Sequence, residues 1–296
     1  RGATYRELGF IDLAIKDYQE ALKIKPDYPE AYSNLGILWR KAGKINVAIE
    51  FLSKALELKP DFIEAWVNKG VALKEIGQFE SAIDSFNHAL ELDEDFAGAH
   101  WNKALALLSC GEYELAWQAY EWRHNIESFD FASQTYEGIR WTGEQSLAGC
   151  TILVHDEQGF GDSIQFSRFV LQLLELCQDV VFCVRGPLVD LFKSLSSSIK
   201  VVDRNSHQSN YDFYIPLLSL PSALSYSKKQ FLCNSFYLRS LDSDIEKWRF
   251  FLRPWPKKSI GIVWSGNPLQ ENNPSRSVPL DELLSAIPPE IAKFSL

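Results

Sequence analysis

The first part of this chain repeats with a period of 34 residues, and this period constrains the fold more than any other feature. Three positions recur in register: a small residue, an alanine and a large side chain. The recurring residues are Gly2, Gly36, Gly70 and Ala104; Ala14, Ala48, Ala82 and Ala116; and Tyr18, Leu52, Phe86 and Tyr120. Pro26 and Pro60 end two repeats, and Glu94 replaces the third proline. A period of this length predicts stacked helix pairs, because one pair cannot bury its apolar face alone.

The pattern over about residues 1–124 resembles the tetratricopeptide repeat, which has two antiparallel helices and a small residue at their crossing. Gly2 already occupies the eighth position of its repeat. We therefore expect the chain to begin inside a helix, with earlier repeats cut away and the first edge frayed.

A second feature is a strand–loop–helix unit that begins at Ile152. The apolar run Ile152–Val154 leads into a loop that contains Gly159 and Gly161, and the loop ends at Asp162. Apolar residues at helical spacing follow at once. Ligands bind such units at the carboxyl ends of the strands, so Asp162 is expected at the mouth of a cleft.

The rest of the sequence alternates strand and helix patterns, which predicts a parallel, doubly wound sheet of Rossmann-like type after an α solenoid. The predicted strands are 151–155, 180–184, 200–202 and 212–215, and the predicted helices are 163–176, 187–195 and 244–252. A strand at 260–264, a helix at 280–287 and a new strand from 294 indicate a second α/β domain that is cut off. The predicted organisation is repeats at 1–124, an ordered linker at 125–149, a first Rossmann-like domain at 150–254 and the start of a second domain at 255–296.

Composition excludes several classes of function. The net charge of −9 argues against a nucleic-acid or anionic-membrane surface. The five cysteines form no CxxC pair and the five histidines are scattered, so we expect reduced thiols, no metal site and a cytoplasmic location. No apolar run is long enough to span a bilayer, and no signal-peptide pattern follows Arg1.

The order of motifs resembles bacterial tetratricopeptide-repeat glycosyltransferases, which are similar to heptosyltransferases and to protein O-linked N-acetylglucosamine transferases. The motifs are Tyr120-Glu121-Trp122-Arg123, Trp141-x-Gly143, Glu157-Gln158-Gly159-x-Gly161-Asp162, Tyr211-Asp212, Leu220-Pro221, Val263-Trp264-Ser265-Gly266-Asn267-Pro268 and Arg276-Ser277. The resemblance implies the GT-B fold of two facing Rossmann-like domains. It also implies inverting transfer of a sugar from a nucleotide-sugar donor, with no tightly bound cofactor or metal. The truncated chain is then expected to be inactive alone.

Two other classes of protein remain as alternatives. One is a non-catalytic interaction scaffold, with tetratricopeptide repeats joined to a degenerate α/β domain. The other is an NAD-dependent Rossmann enzyme. The broken glycine fingerprint disfavours this second class, because only Gly159-x-Gly161 is present.

Asp162 is the candidate catalytic residue, and it has two interpretations. By the resemblance, a Gly-Asp in this loop supplies a general base that takes the proton of the acceptor hydroxyl. Alternatively, Asp162 caps the helix, with Gln165 three residues on completing a capping box. One carboxylate could do both. Glu157 and His155 are weaker candidates for the base.

The remaining candidate residues are binding groups. The loop residues Glu157, Gln158, Gly159 and Gly161 are assigned to acceptor or donor-phosphate contacts. By the resemblance, the donor diphosphate lies against Ser265, Gly266, Asn267 and Arg276. An ordinary turn is the alternative interpretation of that loop.

Asn34, Asn68 and Asn102 recur at the sixth repeat position, on the first helix of each pair. An amide offers a donor and an acceptor together, so a row of amides can bind an extended peptide of a partner protein. A purely structural role for these asparagines remains the alternative.

Overall fold

The computed structural model describes residues 1–126, 136–205, 210–226, 236–254, 258–262 and 277–295. Its first part is a solenoid of eight helices arranged in antiparallel pairs. These helices are α1 (Gly2–Glu7), α2 (Ile11–Ile24), α3 (Pro29–Lys41), α4 (Ile45–Leu58), α5 (Ile63–Glu75), α6 (Phe79–Leu92), α7 (Ala97–Cys110) and α8 (Tyr113–Tyr120). The predicted tetratricopeptide solenoid is confirmed.

The recurring small residues set the helix crossings. A Cβ atom placed on Gly36 would lie 2.5 Å from Leu52 Cγ, and one on Gly70 would lie 2.5 Å from the ring of Phe86. Leu52 and Phe86 are the large residues of the same repeats, and both are fully buried. The glycine therefore permits the approach of the two helices, and the large side chain fills the space between them.

A five-stranded parallel sheet follows the solenoid. Its strands are β1 (Ile139–Arg140), β2 (Thr151–His155), β3 (Asp179–Val184), β4 (Ile199–Asp203) and β5 (Phe213–Pro216), in the spatial order β1-β5-β2-β3-β4. The predicted adjacency of strands 151–155 and 180–184 is confirmed, since Thr151 to His155 pair in parallel with Asp179 to Cys183. A small parallel α/β region therefore follows the repeats, as predicted.

The helical connections of this region differ from the prediction in their bounds and helix type. The helix expected at 163–176 begins earlier, as α9 (Phe160–Phe166), and continues as a 3-10 helix (Ser167–Glu175). The later connections are α10 (Gly186–Phe192), a 3-10 turn (Leu217–Ser219) and α11 (Leu220–Ala223). Phe169, Val170 and Leu173 of the 3-10 helix are buried with the strands.

The strand order places a switch point between β2 and β5. The chain runs from β2 outward to β3 and β4, and then returns to β5 on the other side of β2. The direction of strand addition thus reverses beside β2, and doubly wound proteins bind ligands at the carboxyl ends of strands next to such a reversal. The residues at this switch point follow β2 and β5 directly.

The segment expected to be a linker contributes to the sheet. Within 125–149, β1 pairs in parallel with β5, and the Trp141 N–H donates to the Tyr214 carbonyl. The Trp141 side chain is buried, and its indole N–H donates to the Gln145 carbonyl. Gly143 has a φ of 98°, and a Cβ there would lie 2.2 Å from the Ala223 carbonyl oxygen. The Trp-x-Gly motif therefore serves packing in this structure.

The chain divides into two compact units, Arg1–Tyr237 and Leu238–Leu296. The second unit contains α12 (Asp242–Leu252), β6 (Ser259–Ile262), α13 (Leu280–Ser285) and β7 (Ala292–Ser295). β6 and β7 pair in parallel.

Replacing Gly70 with alanine tests the helix crossing. Although alanine is the better helix former by about 1 kcal/mol, we expect Gly70→Ala to destabilise the protein by about 1–2 kcal/mol, because the methyl group overlaps the Phe86 ring. Urea denaturation followed by circular dichroism measures the change. The repeat-equivalent residue Ala104 already accommodates a methyl group, so Ala104→Gly should also destabilise. A more stable Gly70→Ala variant would contradict this account.

Candidate functional site

The first helices of the repeats lie side by side and carry a row of polar residues. Asn34, Asn68 and Asn102 lie on α3, α5 and α7, and each is half-buried. A second polar set follows the same period at the twelfth repeat position: Arg6, Arg40 and Lys74. The structure brings the two sets together across neighbouring repeats.

Two of the three asparagine amides are bonded within the solenoid. The Asn34 Nδ2 donates to the Glu30 carbonyl at 2.7 Å, and its Oδ1 accepts a hydrogen bond from the Arg6 guanidinium. Asn102 repeats the arrangement: its Nδ2 donates to the Gly98 carbonyl at 2.9 Å, and Lys74 Nζ donates to its Oδ1 at 3.1 Å. Burial lowers the pKa of Lys74.

The middle asparagine is different. In the part of the chain that the structure describes, the Asn68 amide has no hydrogen-bond partner. Its expected cation, Arg40, forms an ion pair with Glu75 at 2.5 Å instead. The two outer asparagine amides of the row are therefore engaged in internal hydrogen bonds, and the central one is not.

Arg123 joins the solenoid to the sheet. It belongs to a 3-10 helix (Glu121–Asn125) that follows α8, and it is fully buried. Its guanidinium donates to Glu157 Oε1 at 2.7 Å and Oε2 at 3.2 Å, to Glu121 Oε1 at 2.9 Å and to Ser219 Oγ at 2.8 Å. It also donates to the Tyr120 carbonyl at 3.2 Å. The neighbouring carboxylates raise the pKa of Arg123 against its burial, so it stays charged.

This ion network fills the switch point of the sheet. Glu157 follows β2 and is buried, and its Oε1 also accepts the Leu218 N–H, at 3.0 Å, from the segment after β5. Arg140 of β1 donates to Glu121 Oε2 at 2.6 Å and to Ser219 Oγ at 3.1 Å. The guanidinium of Arg123 thus lies where a doubly wound sheet would hold a ligand. The carboxylate of Glu157 is committed to that contact.

Two histidines near this joint are held neutral. Burial lowers the pKa of His124 to about 3 and that of His155 to about 4, and nearby arginines add to both effects. His155 stacks on Tyr136 with ring centroids 4.2 Å apart. The pKa of Tyr120 rises to about 12, mainly through burial. A neutral imidazole packed in this way suits a structural role better than proton transfer.

The loop between β2 and α9 differs in register from the predicted capping box. Gly159, not Asp162, is the N-cap residue, and α9 starts at Phe160. Asp162 lies at the third helical position, half-buried, and its Oδ2 accepts the Gly159 N–H at 3.0 Å. The carboxylate supports the helix start from inside the first turn.

Gln158 carries the strain of this loop. Its φ of 56° lies in the left-handed region, which non-glycine residues seldom adopt. Its side-chain Nε2 is buried with no hydrogen-bond partner among the described residues. Strain of this kind accompanies functional loops, as it does tight packing. The predicted donor residues Ser265, Gly266, Asn267 and Arg276 lie outside the described residues.

Comparison with known families identifies the first part of the chain. Residues 2–41 match a TPR repeat family, and residues 29–62 and 63–96 match tetratricopeptide repeat families. The N-terminal part of this chain therefore consists of tetratricopeptide repeats. None of the described helices is long and apolar enough to cross a membrane.

Similar proteins cover the chain in part. A stretch of 169 residues is 24% identical to Protein FlbA of Caulobacter vibrioides, which is 50% of this chain and 28% of FlbA. The chain thus spans less than a third of that relative. A crystal structure of MamA is 33% identical over 43% of this chain and 74% of MamA, with a TM-score of 0.40. The first TPR of Spaghetti (RPAP3) bound to an HSP90 peptide is 22% identical over 37% of this chain and 86% of that one, with a TM-score of 0.36.

Two groups of residues escaped the sequence analysis. The first is the cation row Arg6, Arg40 and Lys74, which the 34-residue period could have exposed by the same comparison that found the asparagines. The second is the Arg123 network, whose members are separated by up to 98 positions in the chain. Arg123 did appear in a motif, but its burial had no signal in the sequence.

Removing the Arg123 side chain tests the joint, by which we mean the hydrogen bonds of Arg123 that link the solenoid to the sheet. Arg123→Ala leaves Glu157 buried without its counter-ion, so we expect a loss of about 3–5 kcal/mol in the free energy of unfolding. Arg1→Ala removes an exposed ion pair with Asp17 and should leave the free energy of unfolding nearly unchanged. Urea denaturation provides the comparison.

A double variant separates charge from packing. In Arg123→Met with Glu157→Gln, no buried charge is left unpaired at this position, so the double variant should be more stable than Arg123→Met alone, which keeps the same volume but leaves Glu157 unpaired. Equal stability of the two would show that packing volume, not charge pairing, holds the joint.

Proposed function

We propose that this chain is a protein-interaction scaffold whose row of first helices binds an extended peptide segment of a partner. The observation that carries the proposal is the polar row itself. Amides and cations recur there at 34-residue intervals, half-buried along neighbouring helices, on a surface built by tetratricopeptide repeats.

The chemistry of the row suits a peptide. Asn68 offers one acceptor and two donor hydrogens, which match the carbonyl and N–H of a peptide unit. Each net hydrogen bond contributes about 0.5–1.5 kcal/mol, so a few such bonds along a groove support a moderate affinity. Repeated groups at fixed spacing hold a segment in one register without reading every side chain.

The switch point favours a scaffold over an enzyme at this part of the sheet. The crevice that would receive a ligand contains the buried Arg123 guanidinium, and Glu157 and Ser219 are bonded to it. The α/β region then serves as a rigid base for the end of the solenoid.

Selection from a random peptide library displayed on phage tests the scaffold proposal on the whole chain. We expect wild-type protein to enrich peptides, and the triple variant Asn34→Ala, Asn68→Ala, Asn102→Ala to bind them about tenfold more weakly by isothermal titration calorimetry. Lys54→Ala is the matched control, because Lys54 pairs with Glu57 on the exposed side of α4. Its affinity should equal that of wild type. Failure to enrich any peptide, or equal loss in the control, would refute the proposal.

A second candidate function is inverting glycosyl transfer by a GT-B protein that contains this chain, with a nucleotide-sugar as donor. Two observations favour it: the doubly wound order of the sheet and a carboxylate, Asp162, at the amino end of the helix that follows β2. In this proposal Asp162 takes the proton of the acceptor hydroxyl.

Asp162→Asn tests the enzymatic proposal in a protein with a complete second α/β domain. Asparagine can still accept the Gly159 N–H but cannot take a proton, so turnover should fall by about 10²–10⁴-fold with donor binding intact. The readout is the nucleoside diphosphate released from a panel of nucleotide-sugars. Asp179→Asn, at the amino end of β3 and so at the opposite end of the strands, is the control. Near-normal turnover in Asp162→Asn would leave Asp162 with its structural role alone.

A further inference from the structure

The three asparagines of the row are not equivalent, although they occupy the same repeat position. Each faces a cation 28 residues earlier in the chain, at the twelfth position of the preceding repeat: Arg6 for Asn34, Arg40 for Asn68 and Lys74 for Asn102. In the first and last pairs the cation donates to the asparagine Oδ1. In the middle pair it does not.

Glu75 explains the exception. It stands at the thirteenth repeat position, one residue after Lys74, and its carboxylate takes the Arg40 guanidinium at 2.5 Å. The repeat-equivalent residues are Lys41 and Ser109. Lys41 stands in the same relation to Arg6, and Ser109 to Lys74, as Glu75 does to Arg40. Neither is a carboxylate, so Arg6 and Lys74 turn to the asparagines. A single acidic residue thus decides whether the neighbouring amide is occupied.

Two polar groups are left unsatisfied in the middle of the row. Arg40 Nε is buried without a hydrogen-bond partner among the described residues, and the Asn68 amide has none either. Each outer amide has one N–H and its oxygen engaged in internal hydrogen bonds that fix its orientation, so a peptide that needs another orientation would have to exchange those bonds for its own. The Asn68 amide requires no such exchange.

From this comparison we propose that Asn68 is the residue of the row that contacts the bound peptide, and that Glu75 is a positioning residue that keeps it available. The inference rests on the proposed peptide-binding function and names its site. The recognised group is a neutral peptide unit, whose carbonyl accepts from Asn68 Nδ2 while its N–H donates to Asn68 Oδ1.

Charge favours a backbone unit over an acidic side chain. The positive charge of Arg40 is already paired with Glu75, and the exposed Glu64 lies one helical turn before Asn68 on the same face of α5. A carboxylate brought to Asn68 would therefore approach the negative charge of Glu64, while the charge of Arg40 is already balanced by Glu75. A neutral amide meets no such repulsion.

Single substitutions at the three repeat-equivalent asparagines test the assignment with a library-selected peptide as probe. Asn68→Ala should weaken its binding about tenfold while leaving the free energy of unfolding nearly unchanged. Asn34→Ala and Asn102→Ala should instead lower stability, with affinity within about twofold of wild type. Equal losses of affinity at all three positions would overturn the inference and leave the scaffold proposal intact. Failure of wild type to bind any peptide would refute the scaffold proposal itself.

A reciprocal pair of substitutions tests the role of Glu75. In Glu75→Ser, Arg40 is released and should turn to Asn68, so peptide affinity should fall severalfold although Glu75 does not touch the peptide. In Ser109→Glu, a carboxylate is placed beside Lys74, which should release Asn102 and raise affinity. Restoring the acid as Glu75→Asp should recover part of the binding. Unchanged affinity in both Glu75→Ser and Ser109→Glu would overturn the positioning role.

The nature of the recognised group has its own readout. Recognition of a neutral peptide unit predicts a dissociation constant that changes less than about twofold between 50 and 500 mM salt, whereas an ion pair would be screened. Methylation of one backbone nitrogen in the probe peptide should abolish the difference between wild type and Asn68→Ala. A steep salt dependence would show that a carboxylate is bound instead.

Discussion

The ion network around Arg123 is the interaction on which the rest of this structure depends. A guanidinium with no solvent exposure is stable only where charged and polar acceptors surround it, because desolvation of an isolated charge costs several kcal/mol. Here Glu157 and Glu121 supply the counter-charge, and Ser219 and the Tyr120 carbonyl complete the shell. The acceptors come from the end of the solenoid and from segments that follow β2 and β5, so the geometry exists only when both regions are folded and in contact.

The solenoid and the sheet of the first unit are therefore linked through Arg123. A tetratricopeptide solenoid interacts mainly with its neighbours, and its stability accumulates repeat by repeat. The last repeat here instead continues through Arg123 into the crevice of a parallel sheet. The sheet therefore covers the end of the last repeat, where Arg123 is bonded to segments that follow β2 and β5. In the polar row on the first helices, the Asn34 and Asn102 amides are bonded within the solenoid, whereas Arg40 pairs with Glu75 instead of Asn68.

The sequence predicted the regular features of the fold because they depend on local periodicity. The 34-residue spacing predicted the helix pairs. The alternation of strand and helix patterns predicted that β2 to β5 form a parallel sheet. The predicted start of α9 was wrong. Asp is preferred over Gly at the N-cap position, so the sequence favoured Asp162, whereas the N-cap residue is Gly159. The short strand β1 was missed because two residues have no period. At the candidate sites the asparagine row could be predicted, but its inequivalence could not, since that depends on whether Arg40 reaches Glu75 or Asn68. The Arg123 network contains residues nearly a hundred positions apart in the chain, so no local sequence pattern predicts it.

The order of strands has a consequence for how the chain is made. β1 precedes β2 in the chain, yet its partner in the sheet is β5, which begins at Phe213. As the protein leaves the ribosome, the helix pairs can form from neighbouring residues one after another, but Ile139 and Arg140 must wait for more than seventy further residues. Arg123 waits longer still, because Ser219 lies 96 positions later. During synthesis the solenoid is therefore complete while its final charge is still uncovered, and closure of the sheet edge and burial of that charge come together as the last event in the folding of the first unit.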